Sequence, residues 1–206
     1  MKTERLYIIG DTHNPKNYFR VINMLDEMAE DNEEIFTIQL GDMGIGFVGN
    51  VFPKTWNTNH VFIRGNHDDP AKASAHTNYL GDFGYIEKWD LFYMGGAYTP
   101  DYAEQRTGAN FFPDEELDYS LMMKAYDLYN KVRPRFVVTH DAPHNIVQLI
   151  HPYVIQNKTI QILENMLRIH QPTTWFFGHH HVYGEYRYGP TNLICVPMNQ
   201  YIEVNL

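Results

Sequence analysis

Six short apolar runs, rich in β-branched and aromatic residues, each stop at a small or polar residue. They cover residues 6–9, 35–40, 61–63, 91–94, 136–138 and 175–177. Runs of this length and make-up read as buried strands. Five of the stops carry unusual chemistry. They are Gly10-Asp11-Thr12-His13, Gly41-Asp42, Gly65-Asn66-His67-Asp68, Thr139-His140-Asp141 and Gly178-His179-His180-His181. Ligands of open α/β sheets bind where strands end at their carboxyl side. A fold that aligns these strands therefore delivers Asp, His and Asn side chains to one edge.

Helical periodicity lies between the runs. Tyr18, Ile22, Leu25 and Ala29 share one face. Leu117, Leu121, Ala125, Leu128 and Val132 repeat the pattern behind an acidic entry at residues 113–116, which suits a helix N-terminus, and Pro134 ends the segment. Ile160, Leu163, Leu167 and His170 mark a third helix, with Asn157 as its cap and a stop before Pro172. Residues 182–188, 193–196 and 201–204 read as a strand meander, with a turn at Gly189-Pro190. The expectation is an α/β layered domain with two packed sheets. A length of 206 residues suits one domain spanning 1–206. Residues 97–113 lack periodicity, and a loop that long in a compact domain is expected to be functional or mobile.

Composition narrows the chemistry. The lone cysteine, Cys195, excludes a disulfide framework and a thiolate zinc module. A formal charge of −9 argues against a non-specific grip on nucleic acid. No apolar run reaches the ~18 residues of a spanning helix. The first strand starts almost at once, without a cleavable leader pattern, so a cytoplasmic location is expected. Imidazole and carboxylate ligands without thiolate suit Mn, Fe, Co, Ni or Zn better than Ca or Mg. The ligands suffice for two ions if one carboxylate is shared. Two divalent cations against Asp11 and Asp42 would leave the site positive inside an acidic protein, and so attractive to a phosphate ester.

The ordered set D-x-H, G-D, G-N-H-D, H and G-H-x-H, running from Asp11 to His181, resembles the calcineurin-like metallophosphoesterases. The resemblance implies a four-layer αββα sandwich of two mixed β-sheets flanked by helices. It implies that Asp11, His13 and His181 hold one divalent ion, that Asn66, His140 and His179 hold a second, and that Asp42 bridges them, with manganese first among the candidate metals. It implies a metal-bridging hydroxide as nucleophile and His67 as general acid, oriented by Asp68. Histidine suits that task because it titrates near neutrality. His180 occupies the variable position of the last motif and reads as a neighbour. His60, His76, His144, His151 and His170 read as surface or core residues.

Arg64 precedes Gly65-Asn66-His67, and in Ser/Thr phosphatases of the superfamily an arginine so placed contacts phosphate. Arg64 is therefore a candidate for substrate binding and catalysis. Arg106 is a second candidate, because arginine grips phosphate oxygens bidentately. The segment from Gly95 to Glu116 is similar to one found in many bacterial and phage members, and reads as an active-site rim. Asp42 is followed by Met43-Gly44-Ile45-Gly46, without the arginine of protein phosphatases or the tyrosine of purple acid phosphatases. The expected activity is hydrolysis of a small phosphodiester or phosphomonoester, with nucleotide-like substrates slightly favoured. A phosphoprotein phosphatase and a non-catalytic binding scaffold are the alternatives.

Overall fold

The computed structural model describes residues 2–99 and 111–206. Among these residues ten strands form two sheets. The first has the order β10-β1-β2-β3, from β1 (Thr3–Ile9), β2 (Glu33–Gln39), β3 (His60–Phe62) and β10 (Tyr201–Glu203). The second has the order β4-β5-β6-β7-β9-β8, from β4 (Phe83–Ile86), β5 (Leu91–Met94), β6 (Phe136–Thr139), β7 (Thr174–Phe177), β8 (Gly184–Tyr188) and β9 (Thr191–Cys195). Both sheets are mixed. Parallel pairs make their centres, and β10, β4 and β8 add antiparallel edges.

Alternation of side chains across each strand builds the layers. Leu6 and Ile8 of β1 face inward, where they join Ile38 of β2 and Leu91, Tyr93, Phe136, Val138 and Phe176 of the second sheet in one cluster. Tyr7 and Ile9 face the other way. They pack on Tyr18, Val21, Ile22 and Leu25 of α1 (Pro15–Met28), in a cluster that also takes in Ala73 of the short α2 (Pro70–Ala73). On the far side, Phe92, Val137, Trp175 and Phe177 pack on α3 (Tyr119–Val132), α4 (His144–Ile150) and α5 (Lys158–Ile169). The result is helix, sheet, sheet, helix, the four-layer sandwich expected of the α/β fold class. Among the described residues no helix is long and apolar enough to cross a membrane.

Side-chain caps start two of the helices, and the sequence indicates the second of them. Asn14 Oδ1 accepts from Asn17 N at 2.9 Å, with Pro15 opening α1. Asn157 Oδ1 accepts from Ile160 N at 3.0 Å and starts α5. The start of α3 corrects the expectation. Residues 113–116 lie before the helix, and its cap is Asp118, whose Oδ1 accepts from Leu121 N at 2.8 Å. The acidic side chains serve elsewhere. Glu116 Oε1 accepts from Thr159 N (3.0 Å) and Oγ1 (2.8 Å), so it caps α5. The C-terminal meander is also corrected. β8 and β9 form a hairpin, but β10 crosses to the first sheet and pairs with β1.

Cys195 ends β9, fully buried. Burial pushes its thiol up to about 12, so almost no thiolate exists at neutral pH. Iodoacetamide at pH 8 is expected to leave the native protein unmodified and to label it once denatured, as read by intact mass.

Candidate metal centre

The strand registers level the ends of both sheets. Ile9 pairs with Gln39, and Gln39 with Phe62. Met94, Thr139, Phe177 and Cys195 are likewise in line. Asp11, Asp42 and Asn66 follow the first set within a few residues, and His140 and His179 follow the second. Buried Gln39 ties two of these loops together. Its Nε2 donates to Gly10 O (3.3 Å) and Gly41 O, and its Oε1 accepts from Gly41 N (2.9 Å). Two glycines permit the approach. Gly41 has φ +101°, and a Cβ there would press on Gly65 N and the His140 ring. A Cβ on Gly65 would meet the Asp42 carboxylate itself.

Two groups of ligand atoms result. Asp11, His13, Asp42 and His181 form one, and Asp42, His140 and His179 form the other, with the atoms of each group within 4.8 Å of one another. Asp42 belongs to both. In the first group, His13 Nε2 and His181 Nε2 are 2.9 Å apart. Asp11 Oδ2 lies 3.0 Å from His181 Nε2 but without hydrogen-bond geometry, although it is buried. In the second, His140 Nδ1 is 2.7 Å from Leu40 O, which can only accept, so in the neutral, ligating form of the ring the proton sits on Nδ1. Nε2 then turns a lone pair towards Asn66 Oδ1 at 3.0 Å and Asp42 Oδ1 at 3.3 Å. Three electron-pair donors facing one another fit a cation between them. A buried carboxylate oxygen without a partner fits the same reading.

The backbone carries strain at the same place. Of seven non-glycine residues with positive φ among the described residues, four are His13, Asp42, His179 and His181. Left-handed backbone costs a side-chain-bearing residue roughly 1 kcal/mol or more, so its concentration here marks a functional region rather than loose loops. Burial works against the charge of Asp42, yet the imidazoles of His140, His67, His13 and His179 outweigh it and hold the carboxyl at about 2. Burial pushes the His179 imidazole down to about 4, which leaves it neutral and able to ligate. His181 is raised, because the Asp11 carboxylate 3.0 Å away favours its charged form.

His67 is half-buried, its ring 5.3 Å from Phe47 and 5.5 Å from His13, and its N–H donates to Asp42 Oδ1 at 2.8 Å. The orienting contact expected from Asp68 is not made. Asp68 Oδ1 accepts from Ile45 N (2.9 Å), and Oδ2 from Gly65 N (2.9 Å) and Met43 N (3.3 Å). It clips the loop after β2 to the loop after β3, and His67 Nδ1 has no hydrogen-bond partner among the described residues. Arg64 also departs from its expected role. Its Nε is 2.8 Å from Asp82 Oδ1, and its Nη1 donates to Asp114 O (3.2 Å) and Glu115 O (2.5 Å). It lines a neighbouring cleft with Asp82 and Asp114, whereas Asp42 and His67 line the cavity at the two ligand groups. Arg106 lies outside the described residues.

Three of the other histidines have structural roles. His60 is fully buried between Thr37 Oγ1 and Asp26 Oδ2, each at 3.1 Å. His170 Nε2 meets Pro134 O at 2.8 Å. His180 Nε2 is 3.1 Å from Asp141 Oδ1, a buried pair behind His179. Sequence reading did not single out this pair, nor Thr99 and Glu115. Asp141 and His180 stand beside motif residues, which was the available signal. Thr99 and Glu115 lie within the segment from Gly95 to Glu116 that reads as a rim, but nothing in it marks these two residues out.

The cavity above the two groups holds about 450 Å³. Its polar side is Asp42, Asn66, His67, Tyr98, Thr99 and the histidine run, and its other wall is Val147, His151, Tyr153, Val154 and Ile155. No curated protein matches the chain. Among solved structures it is similar to a phosphopantetheinyl hydrolase from Mycobacterium tuberculosis, at 12% identity and a TM-score of 0.48, over 96% of this chain and 90% of that one. The family model of the calcineurin-like phosphoesterases matches residues 4–183. With that match across most of its length, and the family's donor set gathered at one edge of its two sheets, the chain belongs to the calcineurin-like phosphoesterases.

Proposed function

We propose that the protein is a dinuclear metal-dependent phosphoesterase that hydrolyses a small phosphodiester or phosphomonoester, with nucleotide-like substrates slightly favoured. The observation that carries this reading is the sharing of Asp42 between two groups of ligand atoms. Asp11, His13 and His181 would complete one ion's ligands, and Asn66, His140 and His179 the other's. Manganese is the first candidate, with Fe, Ni, Co and Zn as alternatives. Bound divalent ions would supply charge to polarise the phosphate ester and would lower the pKa of water.

The chain's own groups do the rest. His67 stands at the cavity and would donate a proton to the leaving oxygen. The Asp42 carboxylate fixes the His67 backbone, and Phe47 packs against the ring. The apolar wall of Val147, Tyr153, Val154 and Ile155 offers a surface for a base or another apolar group. Cavity size supports a small substrate, since ligand sites commonly measure roughly 300–1,000 Å³. The engagement of Arg64 by Asp82 and two carbonyls removes the feature that pointed to a protein phosphatase, and that supports a small ester over a phosphoprotein.

The test compares a chromogenic phosphomonoester, a linear diester and a 2′,3′-cyclic nucleotide, with Mn, Ni, Fe and Zn each supplied. Metal-dependent turnover of at least one ester is expected. His67→Ala should lower it by roughly 10²–10⁴-fold while the metal content stays at the wild-type level. Equal and negligible rates for the manganese-loaded wild type and His67→Ala on all three esters would sink the proposal.

A further inference from the structure

A buried chain of hydrogen bonds ends on Asn66 and starts outside every motif of the family set. Glu115 is 4% exposed, Thr99 3% and Asn66 1%. Glu115 Oε1 accepts from Thr99 N at 2.7 Å, and Oε2 accepts from the Thr99 hydroxyl at 2.5 Å. Thr99 Oγ1 in turn accepts from Asn66 Nδ2 at 3.0 Å. At the other end of the same amide, Asn66 Oδ1 stands 3.0 Å from His140 Nε2.

The two ends of an asparagine amide are nearly equal in shape and opposite in chemistry. Only the oxygen can ligate a cation, and an NH₂ turned towards one is repelled. Something must therefore choose the orientation before the ion arrives. An ionised carboxylate is acceptor-only, and a hydroxyl has a single proton. Glu115 commits the Thr99 proton to itself. Towards Asn66, Thr99 Oγ1 is left to accept, so Nδ2 faces it and Oδ1 faces the cluster. Glu115 is held in its turn, because its carbonyl accepts from Arg64 Nη1, and Arg64 is anchored on Asp82.

We propose that Glu115 is a positioning residue, acting through the Thr99 hydroxyl to fix the Asn66 amide with its oxygen towards the metal centre. The inference rests on the metal-centre reading above. It also gives Arg64 a function in place of phosphate binding, as the latch that seats Glu115.

Isosteric variants separate polarity from shape. Glu115→Gln keeps the volume but offers an NH₂ where Oε2 accepted, so the Thr99 proton loses its acceptor. Thr99→Val removes the hydroxyl, and Thr99→Ser retains it. Chelator-stripped protein is titrated with Mn²⁺ by calorimetry, and the spin coupling between paired Mn²⁺ ions is followed by EPR. The wild type and Thr99→Ser should take up two ions with a coupled spectrum. Glu115→Gln and Thr99→Val should bind one of the two ions roughly 10–100-fold more weakly, and lose the coupled signal at intermediate Mn²⁺. A purely structural role would lower the melting point of the stripped protein without separating the two affinities. Wild-type affinities for both ions in Glu115→Gln and Thr99→Val would overturn this inference alone. A wild type that binds no Mn²⁺ would overturn the metal-centre reading with it. If Glu115→Gln fails to fold, the contrast between Thr99→Val and Thr99→Ser decides.

Discussion

Asp42→Asn is expected to lower metal-dependent turnover by about a thousandfold or more, a loss of about 4 kcal/mol of transition-state stabilisation, in a protein that remains folded. The carboxylate is 1% exposed, belongs to both ligand groups and holds the His67 backbone. Asparagine is the informative replacement. It preserves volume, tolerates the φ of +56° and can still accept from His67 N. What it removes is one negative charge from a pocket of imidazoles, and with it the means of bridging two cations. Asp42→Ala adds backbone strain and a cavity, so its phenotype would mix stability with chemistry. Turnover of a chromogenic ester and Mn²⁺ stoichiometry by calorimetry provide the check. Retention of both ions and of the wild-type rate in Asp42→Asn would refute the shared-ligand assignment.

Asp42 was legible because an apolar run that reads as a buried strand ends just before it, and Gly41 marks a turn there. The same logic located Asp11, His13, Asn66, His140, His179 and His181, each just beyond a buried strand. What failed were inferences from a motif to a contact. Arg64 has the right neighbours for a phosphate ligand, but Asp82 and the carbonyls of Asp114 and Glu115 reach its guanidinium first. Asp68 follows His67 in sequence, yet three amides from two loops consume its oxygens. Apart from Gly65, such partners come from 18 to 51 positions away along the chain, and no local pattern announces them.

The topology was legible in part for a related reason. β4 contains Gly84 and is half-buried throughout, so it lacks the apolar run that announces a core strand. The tight turn at Gly189 makes β8 and β9 neighbours, and nothing local then sends β10 away to pair with β1. The acidic stretch before α3 illustrates the competition. Glu116 is worth more as the cap of α5, and Glu115 as the acceptor of Thr99, than either is in the first turn of its own helix.

Chelation is expected to lower the melting temperature by roughly 8–16 °C for each ion removed, relative to protein held at about a thousand times the dissociation constant. A ligand at that excess contributes about 4 kcal/mol, and a protein of this size shifts by roughly 2–4 °C per kcal/mol. The structure indicates why the metal-free state is costly. Asp11 and Asp42 are both 1% exposed, Asp11 Oδ2 lacks a hydrogen bond, and His13 Nε2 and His181 Nε2 crowd to 2.9 Å. Four ligand positions also hold left-handed backbone that bound ions would help to maintain. Acid should erode the gain, because an imidazolium cannot ligate. Burial disfavours charge on His140, but Asp42 and Asp11 outweigh it and raise that histidine, and Asp11 raises His181. Protons therefore compete with metal at both groups from above the ordinary histidine range, whereas His179, held near 4, adds no competition until much lower pH. The difference in melting temperature with and without Mn²⁺ should be largest near pH 8 and shrink steadily as pH falls through the raised values of His140 and His181. A difference that stays constant down to pH 5 would show that these histidines do not bind the ion.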